Sequence, residues 1–175
     1  MKITLKDGDS LDIPAGQTVG AALSALGLTL GPDILAAKVN GQLVDLSISL
    51  TEDAQVAPLQ FDSAEGREVY RHSSTHIMAQ AVKEVFPTAQ LTIGPALEDG
   101  FFYDFAFERP FTPEDLEKIE ARAKDIIKRA LPVKRAELSK QDAVKFFQER
   151  GEAYKVELIQ GLAEGQTISV YSQGD

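Results

Sequence analysis

Cysteine is absent, which excludes disulfides, thiolate nucleophiles and cysteine-type zinc sites. Long apolar runs are absent too. The longest charge-free one, Val19 to Gly31, is 13 residues, where a membrane-spanning helix needs about 20. Met1 to Ser10 (MKITLKDGDS) has no apolar signal core. Net positive charge is missing: 18 basic against 27 acidic residues give −9. A general polyanion binder carries the opposite balance, so any nucleic-acid contact must use a local patch. No Gly-x-x-x-x-Gly-Lys phosphate loop occurs, which disfavours a nucleotide-hydrolysing switch. Histidine is scarce, with only two. Hydrophobic residues at 43% and charged residues at 26% are nonetheless an ordinary globular balance over 175 residues. The expectation is a soluble cytoplasmic protein with no membrane contact.

Two small α+β units are predicted. Ile3 and Leu5, then Leu11 and Ile13, alternate around Asp7-Gly8 as a hairpin. Thr18 caps a short helix over Val19, Ala22, Leu23 and Leu26, which Gly27 stops. Asn40-Gly41 joins a second hairpin, and a strand follows near Gln55 to Phe61. Residues 1–61, with three basic and seven acidic residues, read as a small α+β roll. Residues 62–67 (DSAEGR) read as a linker, and 68–175 as a second domain.

The second domain opens with a helix over Val69 to Phe86, ended by Pro87. Leu91 to Ile93 reads as a strand broken by Gly94-Pro95, whose first role is turn chemistry. Phe101, Tyr103, Phe105 and Phe107 form one face of an aromatic strand. Thr112-Pro113-Glu114-Asp115 is a helix start. The buried face expected beyond it is Leu116, Ile119, Ala123, Ile126, Ile127 and Ala130. Val133 to Leu138 reads as a strand, and Ser139 caps a helix closed by Gly151. Val156, Leu158, Ile168 and Val170 suggest two closing strands. The chain stops at Asp175 straight after a strand signal, the expected look of a cut polypeptide.

His72 and His76 lie four apart, on one helix face. With His72 at zero on the wheel, His76 falls near about 40° and Lys83 near about 20°, whereas Ile77, Met78, Ala81, Val82 and Val85 spread over about 140° to 280°. Two readings stand: a solvated surface pair, or a helix whose back packs on a sheet while its front lines a cleft. A zinc site needs a further ligand, and the glutamate of a zinc-protease helix is missing from His72-Ser73-Ser74-Thr75-His76. Without metal, paired imidazoles suit proton transfer or the binding of water. Ser73 and Ser74 are weak nucleophile candidates outside any strand-turn-helix elbow. Tyr103 either packs in the core or lines a cleft. Lys155 reads as a surface lysine at a strand start. Lys124, Lys128, Arg129, Lys134 and Arg135 form a basic cluster that suits a phosphate backbone, although the helix macrodipole explains the first three equally well.

Several blocks together resemble one family. They are Tyr70-Arg71-His72-Ser73-Ser74-Thr75-His76, Ile93-Gly94-Pro95, Glu98-Asp99-Gly100-Phe101-Phe102-Tyr103-Asp104, Pro110-Phe111-Thr112-Pro113-Glu114-Asp115-Leu116 and Gly151-Glu152-Ala153-Tyr154-Lys155-Val156. In this order they are similar to the N-terminal region of bacterial threonyl-tRNA synthetases. Gly16-Gln17-Thr18-Val19 and Val39-Asn40-Gly41 resemble signposts of the β-grasp (TGS-like) module at the start of that enzyme.

The resemblance implies a β-grasp domain over 1–61 and an editing domain over 68–175, with helices packed on an antiparallel sheet. It implies that the editing domain hydrolyses mischarged seryl-tRNA. His72 and His76 match the family's editing histidines, and Tyr103 and Lys155 match residues lining the same site. A cysteine and a third histidine that complete the family site follow the segment matching Asp175, so an incomplete editing site without tight metal is expected. The partner implied is the 3′ end of threonine tRNA. ATP, magnesium and zinc belong to a catalytic core outside these residues, as does the main dimer contact, so a monomeric fragment is expected. The alternatives are a non-catalytic tRNA-binding or regulatory module, a stand-alone hydrolase of mischarged tRNA and, weakest, a GTP-binding regulator.

Overall fold

A computed structural model describes residues 1–6 and 8–174. It divides into two compact units, Met1–Arg71 and a second from His72 onward. No helix among the described residues is long and apolar enough to cross a membrane.

In the first unit β1 (Lys2–Leu5) pairs antiparallel with β2 (Ser10–Asp12). Of the hairpin turn read at Asp7-Gly8, Asp7 lies outside the described residues. β1 also runs parallel to β5 (Ala54–Leu59). β5 pairs antiparallel with β3 (Ala36–Val39), and β3 with β4 (Gln42–Val44), giving the order β2-β1-β5-β3-β4. The β3-β4 turn is Asn40-Gly41, both at positive φ (50° and 83°), as a two-residue hairpin of matching twist requires. Helix α1 (Val19–Ala25) starts where the Thr18 hydroxyl accepts from the Ala21 N–H at 3.1 Å, a cap worth about 1 kcal/mol. Its Val19, Ala22 and Leu23 bury against Ile3, Ala37 and Val56. One helix grasped by a mixed five-stranded sheet is a β-grasp fold.

Helix α2 (Ala64–Val85) begins five residues before the expected Val69. Residues 64–67, read as linker, are its first turn. The Ser63 hydroxyl accepts from the Gly66 N–H at 3.0 Å. Gly66 is buried, and a Cβ there would meet the Gln60 carbonyl oxygen at 1.8 Å. Ser63 was the start signal; a lone glycine masked it.

Among the described residues the second unit holds the rest of α2, three helices and three two-stranded antiparallel ladders rather than one broad sheet. β6 (Gln90–Leu91) pairs with β9 (Phe105–Ala106), β7 (Ala96–Leu97) with β8 (Gly100–Phe101), and β10 (Val133–Leu138) with β11 (Ile168–Gln173). The aromatic segment keeps its alternation: Phe101, Tyr103, Phe105 and Phe107 are partly buried while Phe102 and Asp104 are exposed. It is split between β8 and β9 because its two halves pair with different partners.

Helix α3 (Pro113–Arg129) packs on α2 through Ala81, Val82, Ile119 and Ile126. Its buried stripe is narrower than expected. Ile119, Ala123 and Ile126 are covered or half-covered, whereas Leu116 and Ile127 are 57% and 58% exposed and Ala130 is exposed. The α2 side chains and the aromatic residues Phe105, Phe107 and Phe111 that share this core cover only one i, i+4, i+7 line. Helix α4 (Lys140–Gln148) is capped by Ser139. Gly151, left-handed at φ 68°, ends the connection to α5 (Ala153–Gln160). The strand expected at Val156 and Leu158 is therefore helix. Apolar residues at 154, 156 and 158 mimic period two, but the turn at Gly151 sets up Val156 N–H to Glu152 C=O at 3.1 Å and the helix continues.

The α3 start yields a stability prediction. Arg109 grips Asp115 at 2.5 and 3.3 Å, and the Thr112 backbone N–H donates to the same carboxylate at 3.0 Å. Arg109 first, then that N–H, hold the Asp115 carboxyl well below its ordinary value. A depressed carboxyl stabilises above the unfolded value of about 4 and loses this as pH falls toward the folded value. Asp115→Asn is expected to lower Tm at neutral pH, with the gap to the parent closing below about pH 4; a Tm series against pH checks this.

Candidate hydrolytic site on helix α2

The histidine-bearing face of α2 lies in the second unit. His72 and His76 are exposed, one helical turn apart, with rings at 78° and centroids 4.8 Å apart. Their Nε2 atoms approach to 3.1 Å. One Nε2 therefore carries a hydrogen and the other accepts it. Beneath them Thr75 is buried and its hydroxyl donates to the His72 carbonyl at 2.7 Å, fixing this turn. The Tyr171 ring on β11 stands 5.9 Å from the His76 ring. Partial desolvation first, then the His72 and Lys155 charges, push the His76 imidazole below the ordinary histidine value. At neutral pH His76 is thus uncharged and able to accept a proton.

Lys155 sits on α5, not at a strand start. Its ammonium is half-buried, donates to the Thr92 carbonyl at 2.7 Å and lies 5.9 Å from the Tyr103 ring. Burial pushes the Lys155 amine down, and the Glu152 carboxylate opposes this. Tyr103 stacks on Phe105 at 4.7 Å. Burial first, then Glu152, push its phenol up, so the hydroxyl stays protonated. Lys155 is the link within the set: its charge acts on His76 and its ammonium faces Tyr103. The two readings left open for α2 resolve in part. Ala81 and Val82 are buried toward α3, while Lys83, on the histidine side of the wheel, reaches Glu152 before α5.

Two participants escaped the sequence reading. Glu152 is 7% exposed and forms an ion pair with Lys83 at 2.7 Å. Gly94 lies under the Tyr103 ring so closely that a Cβ would sit 2.1 Å from its Cδ2. Gly94-Pro95 is therefore a close approach and not only a turn. A buried acid leaves no signature in composition, but the glycine had one, since glycine permits close backbone approach. The basic cluster is largely neutralised: Lys124 pairs with Glu120, Arg129 with Glu84 and Arg135 with Glu137. Among the described residues no three histidine or acidic side chains converge to hold a metal ion.

Comparison with known proteins follows the same outline. Residues 1–57 match the TGS domain family. The whole chain is 50% identical over 173 residues to a threonine–tRNA ligase of Symbiobacterium thermophilum, covering 99% of this chain and 27% of that protein. Identity is 49% over 175 residues to the ligases of Desulforamulus reducens and Acetivibrio thermocellus, covering 100% of the chain and 28% of each. The chain is similar over its full length to the N-terminal region of bacterial threonine–tRNA ligases. It spans about a quarter of the length of these curated relatives. The β-grasp unit coincides with the TGS match, so the ligase likeness covers both units. The histidine pair, Tyr103, Glu152 and Lys155 all fall in the part of the ligase-like chain beyond the TGS match.

Proposed function

We propose that the second unit hydrolyses the ester joining serine to the terminal adenosine of threonine tRNA, as the proofreading part of a threonine–tRNA ligase. The observation that carries this reading is the His72–His76 pair, in nitrogen-to-nitrogen contact with His76 uncharged. A neutral imidazole takes the proton of a water as that water attacks the ester carbonyl. The water oxygen bonds to carbon, the carbon–ribose oxygen bond breaks, and the proton passes to the ribose oxygen. His72, hydrogen-bonded to His76, fixes the tautomer and spreads the positive charge that develops. Lys155 and the protonated Tyr103 hydroxyl suit the ribose and phosphate side of the substrate. The need for such a step is energetic. A pocket separates serine from threonine by one methyl, worth only about 1–3 kcal/mol.

The ligase activity named for the relatives is proposed for the full reading frame that carries these residues, with ATP, magnesium and zinc in its catalytic core. Threonine-dependent pyrophosphate exchange tests that part. The editing part is tested by releasing serine from seryl-tRNA with the full reading frame, parent and Lys155→Ala. Removing the cation is expected to raise KM about tenfold with a smaller change in kcat, as for a lost charge-assisted contact. Threonyl-tRNA is expected to survive both proteins. Equal release of serine and threonine by the parent refutes the proofreading reading.

A further inference from the structure

Glu152 occupies the cap position of α5, where an acid ordinarily turns its carboxylate onto the helix N–H groups. It makes no such bond. Gly151 and the Glu152 N–H to Phe147 C=O bond at 3.0 Å turn the side chain inward instead. Its Oε1 meets the Lys83 ammonium at 2.7 Å. Lys83 is itself held, donating to the Ala89 carbonyl at 3.0 Å. The other carboxylate oxygen, Oε2, is buried and has no hydrogen-bond partner. Such an atom is costly to keep, since a buried acceptor without a partner loses its hydration. Three residues on, Lys155 is a half-buried cation whose direct neighbours, the Thr92 carbonyl and the Tyr103 ring, are neutral. Residues three apart on a helix share a face.

We propose that Glu152, anchored by Lys83, is a positioning residue that holds the Lys155 ammonium against the Thr92 carbonyl and the Tyr103 ring. The proposal deepens the functional reading and rests on it for the role of Lys155 toward substrate. Among the described residues, the charged or titratable groups that act on Lys155 or on which it acts are Glu152 on its own helix, His76 on α2 and Tyr103 before β9, with Lys83 held at the Glu152 carboxylate. Only Glu152 among these supplies negative charge at neutral pH. With the carboxylate removed, Lys83, Lys155 and any proton on the histidines repel one another without compensation.

The test reads the Lys155 ammonium directly. Trace acetic anhydride labels each free amine in proportion to its unprotonated fraction. Mass spectrometry of labelled peptides across pH then gives a curve for Lys155, with exposed Lys118 as internal reference. In Glu152→Gln, which keeps volume and an acceptor for Lys83, the Lys155 curve is expected to move down by about one pH unit. In Lys83→Met the carboxylate loses its partner cation and the curve is expected to move up. Opposite shifts exclude general loosening, which would move both variants the same way. A Lys155 curve unchanged in Glu152→Gln, or both variants shifting in one direction, overturns the proposal. If Glu152→Gln fails to fold, Lys83→Met decides: the Lys155 curve is expected to move up at an unchanged labelling plateau, and an unmoved curve, or one that rises together with a raised plateau as loosening produces, overturns the proposal. In deacylation, Glu152→Gln is expected to raise KM several-fold, following Lys155→Ala. A Lys155→Ala enzyme with unchanged KM removes the functional reading of Lys155, and the labelling result still decides Glu152.

Discussion

Alanine in place of His72 or His76 is expected to lower serine release from seryl-tRNA by about 10²–10⁴-fold, the usual contribution of a positioned acid–base group. Each single change breaks the same Nε2–Nε2 contact, so the double variant is expected to lose little more than either single one. The fold should survive, because both rings are exposed and the helix beneath is held by buried Thr75. The pH profile carries the sign of the mechanism. His76 must be uncharged to take a proton, and its folded value lies below the ordinary one. Activity is therefore flat through neutrality and falls on the acid side only below about 6.5, the unperturbed histidine value. Lys155→Ala removes one of the causes of that depression, so its acid limb moves upward. A profile whose acid limb stays fixed in Lys155→Ala, or undiminished serine release by His76→Ala, contradicts the assignment.

Gly94→Ala is expected to produce the second largest effect. A Cβ at Gly94 would lie 2.1, 2.6 and 2.8 Å from three atoms of the Tyr103 ring. Neither side retreats easily. Thr92 N–H to Asp104 C=O at 3.2 Å and Asp104 N–H to Ile93 C=O at 2.9 Å pin the two backbone segments. The ring is stacked on Phe105 behind. Forcing a methyl into such a contact costs about 1–3 kcal/mol. It also displaces Tyr103 from its place beside Lys155, so KM for seryl-tRNA should rise with the loss of Tm. The two effects share one cause, which a double-mutant cycle isolates. In a Tyr103→Ala background the Tm penalty of Gly94→Ala should largely vanish. An equal penalty in both backgrounds would place the strain elsewhere.

Local signals proved sound wherever one residue sufficed to set the backbone. Thr18, Thr112 and Ser139 each cap the helix expected of them. Asn40-Gly41 makes its turn, and the apolar face of α2 packs where the wheel put it. The signals failed where a neighbour had to choose. Tyr154, Val156 and Leu158 fit strand or helix, and the turn at Gly151 selected helix. Leu116 and Ile127 fit the stripe of α3, but α2 and the aromatic side chains packed with it cover one line of that stripe only.

The sequence by itself determined that a small α+β roll is followed by a second α+β unit, and that two histidines share the polar face of one helix. These follow from periodicity and caps, which act within a few residues. The tertiary structure alone decided what surrounds that face. It took Lys155 from an expected strand start to a helix against Thr92, set Tyr103 on Gly94, and buried Glu152 on Lys83. Those pairings join residues about ten to seventy positions apart, and no local rule reaches so far. The charge that a buried lysine or histidine keeps depends on its neighbours in space, so the chemistry of this face belongs to the packing.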